Sequence, residues 1–168
     1  PLLLDLGRRD EDRLKPVIRE VEPTSMAQRA MHRATPAATL KGITMQLVSS
    51  ADLPNCATDA NRVDQVLVNL LGNAIKYAPE GSVVRITISA RGNRVVYTVE
   101  DEGPGVAPSE VERIFDIYVT KADEESRGIG LGLPLSRRLA QLLGGELNAV
   151  STAGKGGCFI LEVLASAS

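Results

Sequence analysis

The stretch 60–78 constrains the fold of this chain more than any other. Val63, Val66, Leu67, Leu70, Leu71 and Ala74 recur at helical spacing, so a helix here carries one continuous apolar stripe. A stripe that long must be buried, and short alternating runs elsewhere supply the surface. Residues 43–48 read as a strand. Residues 83–89 and 94–101 read as a hairpin turning at Arg91, Gly92 and Asn93, and 146–150 with 157–164 as a closing hairpin. A helix is predicted over 25–41, with Ser25 and Gln28 spaced as a capping box and Gly42 as its stop. A short helix is predicted over 108–115, and another over 131–143, stopped by Gly144 and Gly145. Pro79 and Gly81 end the central helix. The expected architecture is α+β: a two-layer sandwich whose mixed, antiparallel-leaning sheet carries helices on one face.

Composition excludes several functions. The 168 residues suit one domain, and with 3% aromatics the core must rest on Leu, Val, Ile and Ala. A net charge of −2 lacks the basic footprint of a nucleic-acid surface. No apolar run approaches the roughly 20 residues of a membrane span, so no direct membrane contact is expected. Asp5 breaks the opening apolar run, which argues against a signal peptide. Cys56 and Cys158 are far apart and read as reduced thiols in a cytoplasmic protein.

Four segments carry candidate chemistry. On the central helix, Asn69, Asn73 and Lys76 share one polar face, with Tyr77 at its border. Asparagine is a poor mid-helix residue, and amide oxygens suit a hard cation such as Mg²⁺, while a lysine suits phosphate. A solvated helix face explains the same residues. At the end of the second strand of the first hairpin, Val95, Tyr97, Val99 and Asp101 share one side, so Asp101 should point inward. A buried carboxylate needs a donor, which an adenine amine supplies and a guanine carbonyl does not. Gly103 and Gly105 then let the backbone approach a ligand. The third segment, Gly128, Gly130, Leu131, Gly132 and Leu133, opens a helix in a manner suited to an anion. Its spacing is neither that of a dinucleotide fold nor that of a Walker loop. Between the last two, Ile114 to Tyr118 is apolar, and the polar stretch after it, with Thr120, Lys121 and Arg127, reads as a lid over a ligand.

In series, the patterns NxxxNAxKY, DxGxG, IFxxYxTK and GxGLGL resemble the histidine-kinase branch of the gyrase, chaperone, kinase and MutL ATP-binding superfamily. The resemblance covers residues 24–165. It implies the Bergerat-type fold and an ATP-binding catalytic domain of a sensor histidine kinase, using ATP and Mg²⁺. The γ-phosphate would pass to a histidine on a dimerisation domain, for relay to a response regulator. Asn73, with Asn69 nearby, would ligate Mg²⁺. Lys76 would contact phosphate, Tyr77 would lie against the nucleotide, and Asp101 would read the adenine amine. Gly103, Gly105, Gly128, Gly130 and Gly132 would shape the pocket and hinges. Val106, Tyr118, Lys121, Arg127, Leu131, Leu133 and Cys158 complete the expected nucleotide set. Residues 2–14 resemble the end of the dimerisation helix. The expected division is therefore a remnant and connector over 1–23 and the ATP-binding domain over 24–168, a monomeric fragment of a homodimeric parent.

Some positions depart from the usual pattern. Cys158 stands where threonine is common, Ile129 replaces a frequent threonine, Tyr118 a common phenylalanine, and Ile117 a usual proline. His32 is not the phospho-acceptor: Arg33 follows it where an acid is usual, and it lies too close to the asparagine helix. The fragment is therefore expected to bind ATP without phosphorylating itself. Superfamily hydrolases and serine kinases place a glutamate base where Asn69 stands, and an amide cannot take a proton from water. A degenerate module that signals by contacts alone is the remaining alternative.

Overall fold

The computed structural model describes residues 15–105, 107–115, 132–151 and 156–167. Within them lie strands β1 (Arg19–Val21), β2 (Thr44–Ser49), β3 (Cys56–Thr58), β4 (Val83–Arg91), β5 (Arg94–Glu100), β6 (Glu146–Ser151) and β7 (Gly157–Leu164). The helices are α1 (Pro23–Lys41), α2 (Ala60–Tyr77) and α3 (Gly132–Leu142). The main sheet runs β2-β4-β5-β7-β6, and β1 pairs with β3 as a separate ribbon. Strand β2 is parallel to β4, and every other pairing is antiparallel, so the sheet is mixed as expected.

Pleat alternation sorts the sheet into two faces. Ile86, Val99 and Phe159 share one cross-strand row, and Ile88, Tyr97 and Leu161 the next. These rows, with Val84, Val95, Val163 and Leu147, belong to the same apolar cluster as the helix stripes. The predicted α2 stripe is buried throughout, from Val63 to Ala74. Helix α1 faces inward with Met26, Ala27, Ala30, Ala34 and Ala38, and the four alanines are small enough to let α2 approach closely. Buried Tyr97 ties the layers together: its hydroxyl donates to Pro23 O at 2.7 Å. Cys56 lies beside it, and burial pushes that thiol up to about 11, so it stays protonated and inert.

The ends of the helices explain two differences from the sequence reading. Helix α1 begins at Pro23, not Ser25, and Glu22 makes no side-chain cap. Proline fixes a helical φ and lacks the N–H that a first turn leaves unpaired, so it outweighs the capping-box spacing. At its other end Gly42 adopts φ 70, and Ile43 N donates to Ala38 O at 2.8 Å, as the glycine stop predicts. The short helix expected over 108–115 is instead two 3₁₀ turns, Pro108–Glu110 and Arg113–Phe115.

Helix α2 is capped from both ends. Asp59 Oδ1 accepts from Asn61 N at 3.1 Å and Arg62 N at 3.3 Å. Its Oδ2 accepts from Val17 N at 3.0 Å. Lys41 Nζ donates to Ile75 O at 3.0 Å and Lys76 O at 2.6 Å, covering the last carbonyls. Asp59→Ala should therefore cost about 0.5–2 kcal/mol, the usual range for a lost N-cap. Asp59→Asn, which keeps an accepting oxygen, should cost far less. Urea denaturation of the two variants checks this, and equal midpoints would remove the capping account.

Candidate nucleotide site

Helix α2 is the spine on which the sequence motifs meet. Towards its end, Tyr77 O lies where a Cβ on Gly103 would come within 2.6 Å, so only glycine lets the Asp101 loop pack there. Two turns earlier, Asn69 Nδ2 donates to Ser136 Oγ at 3.0 Å. A Cβ on Gly132 would fall 2.4 Å from Asn69 Oδ1. The DxGxG strand end and the last glycine of the GxGLGL pattern thus press on opposite ends of the same polar helix face.

Asn73 sits between them. It is 7% exposed, and its side-chain nitrogen has no hydrogen-bond partner among the described residues. A buried amide left in that state is costly, so the position favours a ligand that completes it. Lys76 is exposed and Tyr77 half-buried. Among the described residues no group of His, Cys, Asp and Glu is gathered to hold a metal.

Asp101 lies just past the end of β5, on the core-facing side of the pleat as predicted. Its Oδ1 accepts from Gly103 N at 2.7 Å and from Gly157 N at 3.2 Å. Burial raises its pKa, and these two amide bonds partly offset the rise. Its backbone is fixed as well, because Asp101 N donates to Gly157 O at 3.0 Å. Gly105 has φ 69 and Gly156 φ 88.

Leu133 is 1% exposed and belongs to the core. Cys158 pairs in register with Glu100 and Val150, the outward row of the sheet, while Asp101 continues the inward one. Burial and the charges of Glu100 and Asp101 push its thiol up to about 11. The residue beside the Asp101 carboxylate is Gly157: a Cβ there would lie 2.8 Å from Asp101 Oδ2. Gly157, which belongs to the closing turn and strand, and Ser136, one helical turn after Gly132, join the site from outside the expected nucleotide set. Val106, Ile117, Tyr118, Thr120, Lys121, Arg127, Gly128, Ile129, Gly130 and Leu131 lie outside the described residues, as do residues 2–14.

Comparison with known proteins identifies the family to which this fold belongs. The family described as "Histidine kinase-, DNA gyrase B-, and HSP90-like ATPase" matches residues 58–167, and the chain belongs to it. Within that family the chain is 39% identical over 126 residues to the adaptive-response sensory kinase SasA of Prochlorococcus marinus, covering 73% of this chain and 33% of the relative. It is 36% identical over 155 residues to SasA of a Synechococcus species, covering 91% of this chain and 41% of the relative. The chain therefore spans well under half the length of these curated relatives. Among solved structures, full-length ShkA in complex with AMPPNP superposes with a TM-score of 0.79 at 34% identity, over 90% of this chain and 32% of that one.

Proposed function

We propose that this domain binds ATP with Mg²⁺ and donates the γ-phosphate to a histidine on a dimerisation domain, for relay to a response regulator. The observation that carries the reading is the convergence on α2. Gly103 packs against Tyr77, Gly132 packs against Asn69, and between them lies buried Asn73, whose side-chain nitrogen has no partner among the described residues. Asp101 would accept the adenine amine, Tyr77 would lie against the nucleotide, and Lys76 would pair with phosphate. Asn73 and Asn69 would hold the Mg²⁺, which supplies charge neutralisation at the phosphates. Gly103, Gly105 and Gly132 would bring backbone close to the ligand. Residues 24–168 would form the ATP-binding unit.

Phosphoryl transfer asks a protein mainly for positioning and charge stabilisation, which amides, a lysine and backbone N–H groups supply. Hydrolysis asks in addition for a base on the water. Asn69 is an amide bonded to Ser136 and offers none. No helix among the described residues is long and apolar enough to cross a membrane, and a cytoplasmic site of action accords with ATP as donor.

Incubation with γ-labelled ATP tests the proposal. Alone, the chain should neither label itself nor release phosphate at a significant rate. With a separately produced dimerisation domain from a histidine kinase of the same family, label should appear as acid-labile, base-stable phosphohistidine on that domain. Label on serine, or phosphate release without transfer, would point to the serine-kinase or hydrolase branch instead.

A further inference from the structure

Arg137 stands on α3 beside Ser136, and its guanidinium is tied to two other elements. Its Nε donates to Leu147 O at 3.0 Å. One terminal nitrogen donates to Glu112 Oε2 at 2.9 Å. The other donates to Glu112 Oε1 at 3.1 Å and to Asn148 Oδ1 at 3.0 Å. The guanidinium also lies over the Phe115 ring, 4.0 Å from its centroid. The Arg137 side chain is 20% exposed, while that of Glu112 is 76% exposed.

An exposed single-contact ion pair contributes little. This one differs in geometry. The fork is bidentate, the plane is stacked on an aromatic ring, and a backbone carbonyl fixes Nε, so the side chain has one place to be. The pairing also depresses the Glu112 pKa, which keeps that carboxylate charged.

What the cluster joins gives it a role beyond packing. Residues 107–115 follow the Asp101 loop and include Phe115. Residues 132–142 begin with Gly132 against Asn69, and Ser136 accepts from Asn69. These two segments carry opposite sides of the nucleotide site, and Arg137 is bonded to one while belonging to the other.

We propose that Arg137 is a positioning residue for nucleotide binding, fixing residues 107–115 to α3 and so setting the separation of the Asp101 side from the Asn69 side. This rests on the ATP-binding reading of the site. Four of its five N–H donors are held by Glu112, Asn148 and Leu147, so it acts through those groups. Loss of an interaction made only for stability would lower the melting temperature and leave the affinity of the folded protein unchanged.

The test is calorimetric titration of the 168-residue chain with ATP and Mg²⁺, each protein also being melted without nucleotide. The set comprises wild type, Arg137→Ala, Arg137→Lys, Glu112→Ala and the double alanine variant, with exposed Arg138→Ala as the control. Arg137→Ala should weaken the Kd about tenfold, within the range measured for residues that share one network. Arg137→Lys should recover little, because an ammonium has no planar fork. The double variant should be no weaker than Arg137→Ala alone, and Arg138→Ala should match wild type. Should Arg137→Ala fail to fold, Glu112→Ala decides: it should weaken ATP several-fold at an unchanged melting temperature. Wild-type affinity in both Arg137→Ala and Glu112→Ala would overturn the positioning role while leaving the ATP site in place. Absence of ATP binding by folded wild type would overturn both.

Discussion

Asp101→Asn should lower ATP affinity by about 100-fold, the scale of losing a charge-assisted hydrogen bond and burying an unmatched donor. The geometry makes this substitution sharper than a truncation. In the wild type Oδ1 already takes the amides of Gly103 and Gly157. An asparagine would keep its oxygen there, because both amides need an acceptor. Its NH₂ would then occupy the place of Oδ2 and meet the adenine amine donor to donor. The same variant should not harm the fold. Burial raises the Asp101 pKa above its ordinary value, so folding disfavours the ionised form. Below the ordinary carboxylate range both states are protonated and the residue adds no penalty. Stability is lost as pH rises through the raised native value. The neutral amide lacks this loss. The Asn variant should therefore melt at or above wild type at neutral pH, with the difference vanishing in acid. Titration and melting across that pH span check both halves. An Asn variant that binds ATP like wild type would show that the carboxylate does not read the base.

Gly156→Ala should be the most damaging single-methyl change near the site. Gly156 has φ 88, and an added Cβ would lie 2.1 Å from Asp101 O, a backbone atom of a residue whose own N–H is bonded to Gly157 O. A side chain in the left-handed region costs about 1–2 kcal/mol, and forcing atoms into filled space costs about 1–3 kcal/mol more. Gly92→Ala is the matched control. Gly92 also has positive φ, 60, but nothing lies within 4 Å of its added Cβ. It should show the conformational cost alone. Denaturant unfolding separates the two, and ATP affinity should fall only for Gly156→Ala, because only there is Asp101 displaced. Equal losses in both variants would show that the close approach does not matter.

The sequence made α2 and its polar face legible because their signal is periodic over five turns. The Asp101 strand was equally readable, since alternation puts Val95, Tyr97 and Val99 on one side and carries Asp101 with them. Parity carried across to β7 also identifies Gly157, but a glycine has no side chain to mark it, whereas the neighbouring Cys158 stands out by residue type. The β1–β3 ribbon escaped because three residues are too few to show a period. It lies partly in the stretch read as connector. The parallel pairing of β2 with β4 joins segments far apart in sequence and leaves no local trace. Arg137 gave no signal at all, since its partners Glu112, Phe115 and Leu147 meet only in three dimensions.

The central claim is that the Asp101 carboxylate and the α2 amides form an adenine-nucleotide site. Calorimetric titration of the folded wild-type chain with ATP and then GTP, both with Mg²⁺, tests it most directly. Saturable heat with ATP and none with GTP is the predicted result, because guanine places a carbonyl against the Asp101 acceptor. Equal binding of the two would contradict the assigned role of Asp101, and no binding of either would contradict the site itself.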